Sequence, residues 1–436
     1  MNDVQLCEFI IKTAVDLGAD KVRVTLNRDT EDIVATLDSG IDKVTRCEDS
    51  SVSINLFANG RYGNFSTNRL DDESLRTFIS RAMDIVGSLS PDEFRNLPEP
   101  GRCCKDAVSG DELDLYDISY PDAGSADRIR TALEACVTHP KIVSKEGEYS
   151  ESLSEVLVMD SQGLLCRHRE TNFDYGVEIT VEDGGEKYSG YWWDSSSRRG
   201  GLDAAACGRR ALESALAQAG SAPVSSRRCN MVVRSDIASK MVSPLLRALN
   251  AYSLQQQDSF LIDSLGRKIF HEGMTLVDDP HIPGQCCSKL FDSEGVATRP
   301  MCIIGNGVVR TYFINTYMAA KMGTEPTVED AVRPHLMPWP SDGMNEQDII
   351  RLCGDGILVT EFNGGNSNSS TGDFSYGFSG FEFKDGVIVR PVSEMLVTGN
   401  FITLWNNLIA AGSDHRPCMS KLIPTLAFSN VDFNGN

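Results

Sequence analysis

The residues whose types and spacing could carry zinc chemistry lie in the stretch FHEGMTLVDDPH, residues 270–281. His271-Glu272 matches the start of the H-E-x-x-H motif, in which two histidines one helical turn apart bind zinc and the glutamate acts as general base. Here the next histidine is His281, and Gly273 and Pro280 disfavour the helix that the motif needs. Spacing and secondary structure therefore both argue against a zinc site at this pair.

Other catalytic signatures are incomplete in this sequence. Gly354-Asp355-Gly356 lacks the third glycine of a dinucleotide-binding fingerprint, and there is no Walker loop. The stretch 377–381 resembles a nucleophile elbow, but Phe381 occupies the position of the closing glycine. None of the six histidines lies in a recognisable catalytic frame. The pair Asp278-Asp279 could bind a hard cation but is more typical of a solvated turn.

Composition and charge narrow the function classes. The chain has 436 residues and a formal charge of −21, which disfavours binding to phosphate backbones and anionic membranes. Its 13 cysteines show no C-x-x-C spacing, so we expect them to be reduced and mostly buried. The first ten residues lack the pattern of a signal peptide, and no apolar run approaches membrane-spanning length. These features predict a cytoplasmic protein that binds neither nucleic acid nor membrane.

Residues 362–386, FNGGNSNSSTGDFSYGFSGFEFKDG, form the most distinctive stretch. Gly364-Gly365 can adopt unusual backbone conformations, and the aromatic residues that follow are strongly β-prone. Glycines within a strand allow a bulge or the close approach of another backbone. Two interpretations follow: a strand that lines a groove and pairs with an extended peptide, or a twisted core strand after a flexible loop.

The elements around these residues indicate an α+β fold with two domains and large, mainly antiparallel sheets flanked by helices. Asp3 and Asp71 are predicted helix caps, and Asn59-Gly60 predicts a hairpin turn. The small, polar stretch 220–228 divides the chain into an N-terminal α+β domain, 1–222, and a β-rich C-terminal domain, 223–436. The proline-rich segment 324–343 is expected to be exposed. Helices are predicted at 4–17, 72–86, 126–137, 202–219, from 236 to 257 with a kink at Pro244, and at 401–410; strands are predicted at 141–195, 231–234, 357–362, 374–384, 387–391 and 425–428.

Short motifs run through the second half of the sequence: GILVTE (356–361), GG (364–365), TGDFS (371–375), SGF (379–381), PV (391–392) and GN (399–400). Together they resemble the C-terminal signature of the TldD/PmbA family, whose members are often labelled modulators of DNA gyrase. Four further segments resemble its PmbA branch, also called TldE: 260–266, 279–281, 291–299 and 316–323.

The resemblance implies a subunit of a cytosolic proteolytic complex. In that family the TldD-type subunit carries zinc on an H-E-x-x-x-H helix with a cysteine near the C-terminus, and the PmbA-type subunit lacks the histidines. Here residues 244–257 contain no histidine, and Cys418 alone cannot hold the metal. We therefore expect no catalytic residue, metal or cofactor in this chain, and zinc on a TldD-like partner.

The resulting hypothesis is a non-catalytic PmbA-like subunit that encloses and presents unfolded or extended peptides for proteolysis. It would assemble with a TldD-like catalytic subunit, or with itself as a homodimer. The strand at 373–383 would pair with the peptide main chain by β-augmentation. The residues expected to line the groove are Asp373, Phe374, Ser375, Gly377 and Ser379.

Two alternatives remain at this point. The chain could be a stand-alone metallopeptidase with an atypical ligand set drawn from His271, His281, Cys286, Cys287 and Cys418. It could instead regulate a DNA enzyme by direct contact, although the charge of −21 argues against DNA binding.

Overall fold

The computed structural model describes residues 1–435. Its first half is built on one six-stranded antiparallel sheet, in the order β3-β2-β1-β4-β5-β6. Helices of this half are α1 (Asp3–Asp16), α2 (Asp72–Ser88), α3 (Ser125–Glu134) and α4 (Ala204–Ala217); strands are β1 (Lys21–Leu37), β2 (Gly40–Ala58), β3 (Arg61–Thr67), β4 (Ile142–Asp160), β5 (Leu165–Asp183) and β6 (Glu186–Ser196).

Alternating apolar residues attach the helices to this sheet. Val22, Val24 and Leu26 of β1 are buried with the apolar residues of α1 and α2. Asp71 caps α2 as predicted, accepting a hydrogen bond from the Ser74 amide at 2.9 Å. The cap of α1 is Asn2 rather than the predicted Asp3, because Asn2 has extended backbone and Asp3 already lies in the first turn.

Helices α3 and α4 pack near the other end of the long strands. Tyr149 of β4 and Tyr175 of β5 are buried against them. A buried ion pair adds a polar contact, because the Arg128 guanidinium on α3 lies 3.0 Å from both Asp32 and Glu151. These helices cover the face of β4–β6 that carries Tyr149 and Tyr175, and on the opposite, uncovered face Glu146, Glu148 and Glu178 are exposed.

The second half contains a six-stranded sheet in the order β14-β13-β12-β7-β16-β15 and a four-stranded sheet in the order β10-β9-β8-β11. β14 also pairs with β16, so the larger sheet curls back on itself. Helices of this half are α5 (Ser243–Ala248), α6 (Ala251–Gln255), α7 (Thr316–Met322), α8 (Glu346–Cys353) and α9 (Phe401–Asn406); strands are β7 (Arg227–Val233), β8 (Leu276–Asp278), β9 (Met301–Gly305), β10 (Val308–Val309), β11 (Pro334–Leu336), β12 (Gly356–Ser367), β13 (Asp373–Lys384), β14 (Val387–Asn400), β15 (Leu408–Ala411) and β16 (Leu426–Asn434).

Three predicted elements differ from the observed ones. The helix predicted at 236–257 is broken into a short 3₁₀ turn, α5 and α6, because Asn250 leaves the helical conformation and caps α6. The helix predicted at 401–410 ends at Asn406, after which β15 pairs with β16. The segment 324–343 is not a wholly exposed excursion, since Arg333 and Leu336 are buried beside β11.

Within the described chain, 1–435, no helix is long and apolar enough to cross a membrane.

Candidate functional site

Strand β13, which carries the predicted peptide-binding residues, is an interior strand. Ser375, for example, pairs with Asn366 of β12 on one side and with Thr398 of β14 on the other. Both edges of β13 are thus hydrogen-bonded along its length. The expectation that the main chain of 373–383 would pair with a peptide is therefore wrong, because no edge is free to accept another strand.

The side chains of β13 divide between the two faces of the sheet. Asp373 and Ser375 are exposed, and Gly377 and Ser379 share their side of the strand. Phe374 points to the opposite face and is only 4% exposed, with its ring centroid 4.8 Å from that of Phe401. Phe374 is therefore a core residue, and it does not share the exposed face of Asp373 and Ser375.

Asp373 is fixed at the end of this exposed face. Its carboxylate accepts hydrogen bonds from the Asn400 amide at 2.9 Å and the Thr371 hydroxyl at 2.7 Å. These two hydrogen bonds lower the pKa of Asp373, so the group stays ionised at neutral pH. Asp373 thus contributes a fixed negative charge at the start of β13.

The neighbouring strand β12 has the free edge that β13 lacks. β12 pairs with β7 only through the segment 356–359, and beyond that point no strand of residues 1–435 lies on its outer side. Residues 361–367, which we call the open edge, are mostly exposed. An unpaired edge of this kind presents main-chain donors and acceptors to an extended peptide.

Glycine is required in the open edge by close approach of the backbone. Gly365 has a φ of +99°, and a Cβ atom there would lie 2.0 Å from the Ser375 carbonyl oxygen. Register shifts in the pairing with β13 occur before Glu361 and before Gly364. The Gly364-Gly365 pair singled out in the sequence therefore serves the bulged contact between β12 and β13.

The open edge begins where the two halves of the chain meet. Trp192 of β6 is contacted by three guanidinium groups: those of Arg416, Arg210 and Arg234 lie 4.6, 4.9 and 5.6 Å from a ring centroid of Trp192. Arg234 also donates to the Thr360 carbonyl oxygen at 3.2 Å. This set of contacts joins β6 of the first sheet to β12 of the second.

Carboxylates from both halves approach each other at this junction. Burial raises the pKa of Glu361, the first residue of the open edge, and the charge of Glu178 on β5 raises it further; Arg234 opposes the shift. Arg234 therefore offsets only part of the pKa shift of Glu361.

The uncovered face of the first sheet forms a cavity of about 710 Å³ next to this junction. We call it the acidic groove, and it is defined by Glu146, Glu148, Asp174, Glu178, Tyr191 and Trp193. Sequence reasoning missed these residues and Trp192. The sequence shows alternating apolar and polar residues along β4–β6. It does not show which face of the sheet the helices leave uncovered, because that depends on tertiary packing.

Comparison with known proteins decides the family. Residues 226–435 match the model of the PmbA/TldA metallopeptidase C-terminal domain, and residues 117–219 match that of its central domain. The chain belongs to the PmbA/TldD family. The resemblance stated from the sequence is thereby confirmed.

Relatives within the PmbA/TldD family match along almost the whole chain. The metalloprotease PmbA of Escherichia coli O157:H7 is 26% identical, over 97% of this chain and 96% of its own length. A crystal structure of a protein described as a modulator of DNA gyrase, from Bacteroides thetaiotaomicron, is 36% identical with a TM-score of 0.95, covering 100% of this chain and 99% of its own. TldE from Thermococcus kodakarensis, 22% identical with a TM-score of 0.84 over 99% and 100% of the two chains, shares the fold.

Within residues 1–435, no group of side chains fits the metal of a PmbA/TldD metallopeptidase. His271 packs on Trp339 with ring centroids 5.8 Å apart, and His281 is hydrogen-bonded to the Thr298 hydroxyl at 2.8 Å. Helices α5 and α6 contain no histidine. In the part of the chain that the structure describes, no three His, Cys, Asp or Glu side chains are grouped to hold a metal.

The cysteines named as alternative ligands come together only in part. The Cys286 thiol donates to the Cys418 carbonyl oxygen at 3.1 Å, and Cys287 neighbours it in sequence. Burial raises the pKa of the Cys418 thiol, which favours the protonated form over the thiolate that binds metal. The structure therefore gives no support to a stand-alone metallopeptidase built from His271, His281 and these cysteines.

Proposed function

We propose that this chain is a PmbA/TldE-like, non-catalytic subunit of a TldD/PmbA-type zinc metallopeptidase, and that it holds extended peptides for cleavage. The observation that carries the proposal is the open edge 361–367, exposed beside the acidic groove. Helices α5 and α6 contain no histidine, so they cannot supply the histidine ligands of a zinc site.

The peptide would be captured by adding a strand to β12 rather than to β13. Main-chain hydrogen bonds are the same for every residue except proline, so this mode accepts many sequences. Asp373, Ser375, Gly377 and Ser379 would then lie on the sheet face that flanks the captured peptide, one strand away from it. Phe374 would support this face from the core.

Hydrolysis is assigned to a partner subunit. We infer that a TldD-like chain supplies zinc and the activated water in a heteromer. The alternative assembly is a homodimer of this chain. The names of the relatives, metalloprotease PmbA and TldE, support an assembly of this type. We place the complex in the cytoplasm, where unpaired thiols stay reduced.

Backbone-modified peptides test the capture mode directly. Three fluorescent ten-residue peptides of one unstructured sequence would be compared: unmodified, N-methylated at every second residue, and N-methylated throughout. A strand added at an edge uses the N–H groups of alternate residues only. We therefore expect the first two to bind with similar affinity and the third to bind at least tenfold more weakly, as measured by fluorescence anisotropy.

Equal binding of all three peptides would show that capture does not use the main chain and would overturn strand addition.

A separate measurement tests whether the chain is non-catalytic: the zinc content and the peptide hydrolysis of the purified protein, measured without an affinity tag. Near one equivalent of zinc with hydrolysis by the chain alone would contradict a non-catalytic subunit.

A further inference from the structure

The acidic groove concentrates carboxylates that have no cationic partner. On its floor, Glu146 and Glu148 project from β4, and Asp174 and Glu178 project from β5. None of the four forms a salt bridge within residues 1–435.

Two of these carboxylates oppose each other directly. Glu146 is the cross-strand partner of Glu178 in the β4–β5 ladder. Like charges at directly opposed positions destabilise a sheet, and this pair is not compensated from within the chain. A bound cation would relieve this repulsion, so the free protein is arranged to gain from binding one.

The side of the groove formed by β6 carries the aromatic residues Tyr191 and Trp193. Gly176 lies between Asp174 and Glu178 on β5, and a Cβ atom on it would lie 2.6 Å from the Tyr191 hydroxyl oxygen. Gly176 thus leaves room for the Tyr191 ring to extend across the sheet, where Tyr191 stays 56% exposed. Exposed aromatic rings beside carboxylates are suited to guanidinium and ammonium groups, through cation–π contact and ion pairing.

A guanidinium group from the second half contacts two residues that line the groove. The Arg416 guanidinium carbon lies 4.8 Å from the Trp193 ring centroid, and a terminal nitrogen lies 3.5 Å from the Asp194 carboxylate. Arg416 also donates to the Trp193 carbonyl oxygen. Arg416 thus makes a cation–π contact and an ion pair with groove residues, and we expect an arginine of a ligand to make contacts of the same kinds in the rest of the groove.

We propose that the acidic groove binds an arginine- or lysine-rich segment of the extended peptide, so that basic peptides are the preferred substrates. This inference rests on the proposed function. Arg234 donates to the Thr360 carbonyl oxygen at the start of the open edge and contacts the ring of Trp192, which lies between Tyr191 and Trp193 of the groove in β6, so the open edge and the groove adjoin. One extended chain can therefore pair with β12 and place neighbouring side chains over the groove.

The test compares two peptides that differ only in charge. One ten-residue peptide carries three arginines, and the other carries three citrullines, which keep the shape of arginine but are neutral. Binding to the full chain is measured by fluorescence anisotropy at 50 and 300 mM salt. We expect the arginine peptide to bind at least tenfold more tightly at low salt, and the difference to shrink at high salt.

Matched variants separate the groove from the overall charge of −21. In the double variant Glu148→Gln/Glu178→Gln, affinity for the arginine peptide should fall to that of the citrulline peptide. The control Glu155→Gln/Glu213→Gln removes the same charge from residues that do not line the groove, and it should leave the preference unchanged.

The outcomes distinguish failure of the groove inference from failure of strand capture. Equal binding of both peptides to the unmodified chain, or a preference that survives in Glu148→Gln/Glu178→Gln, overturns the basic-segment inference and leaves strand capture standing. Binding of the arginine peptide alone, with none of the citrulline peptide, supports the groove and contradicts capture by the open edge. Failure of both peptides to bind overturns both proposals.

Discussion

Replacing Trp192 with alanine tests whether the contacts of Trp192 hold the two halves together. Arg416 and Arg234 reach this side chain from the second half, and Arg210 reaches it from α4 of the first. Removing the indole ring leaves all three guanidinium groups without their aromatic partner. The matched control Trp192→Phe keeps a ring face, although a weaker one.

The size of the effect follows from these contacts. A cation–π contact at a partly exposed site contributes ~0.5–1 kcal/mol, so three contribute roughly 1.5–3 kcal/mol, of which about two thirds joins the two halves. We expect Trp192→Ala to lower the free energy of unfolding by this amount and Trp192→Phe to lower it by less than half as much. A loss of about 1.4 kcal/mol corresponds to a tenfold change in the equilibrium.

Urea unfolding followed by tryptophan fluorescence and by circular dichroism would measure the change. Hydrogen exchange would locate it, with faster exchange expected in β6 and in residues 413–418. Because the contacts align the acidic groove with the open edge, peptide affinity should fall in Trp192→Ala as well. Equal destabilisation by both substitutions, or exchange that quickens only within the first half, would refute the argument that cation–π contacts join the halves.

Two further substitutions test the site and its surroundings. Burial, and then the charge of Glu294, raise the pKa of Asp292 to about 7, above its unfolded value of 3.8. The folded state therefore retains the proton between these values, so stability should fall as pH rises from 4 to 7, and Asp292→Asn, measured by urea unfolding at pH 5 and pH 8, should flatten that dependence. A Cβ atom on Gly377 would lie 2.4 Å from the Oδ1 atom of Asn363, an exposed side chain that can rotate, so Gly377→Val should leave the melting temperature within a few degrees. We expect it to weaken peptide binding about tenfold by moving Asn363 at the open edge; unchanged affinity in the anisotropy assay would contradict a role for this face.

The sequence correctly predicted a hairpin turn and a helix cap, features that depend on residues close together in the chain. Asn59-Gly60 forms the predicted hairpin turn between β2 and β3, with both residues at positive φ. Asp71 caps α2 by a hydrogen bond three residues along the chain. Such features depend on neighbours in sequence, so one sequence suffices to predict them. The division of the chain at 222/223 remains a prediction.

The candidate site could be predicted only in part, because it depends on strand order. The aromatic alternation around 374–383 correctly indicated a strand, but nothing in it shows that β14 pairs on one side and β12 on the other. The prediction put Phe374 in the groove together with Asp373 and Ser375, although successive residues of a strand point to opposite faces and Phe374 lies in the core. The junction between the open edge and the acidic groove depends on contacts between residues more than 150 positions apart, such as Trp192 with Arg416.

The geometry of β12 limits how a peptide can be held there. Register shifts interrupt its pairing with β13 up to Gly364, and only the segment 364–367 continues in regular register with 374–377. Four residues of strand span about 13 Å, which is short for tight binding through main-chain hydrogen bonds alone. Bulges also protect an exposed edge from indiscriminate pairing with other chains. A short edge that binds any sequence weakly, next to a groove that adds charge-dependent contacts, would retain long extended chains with basic segments and release short or acidic ones.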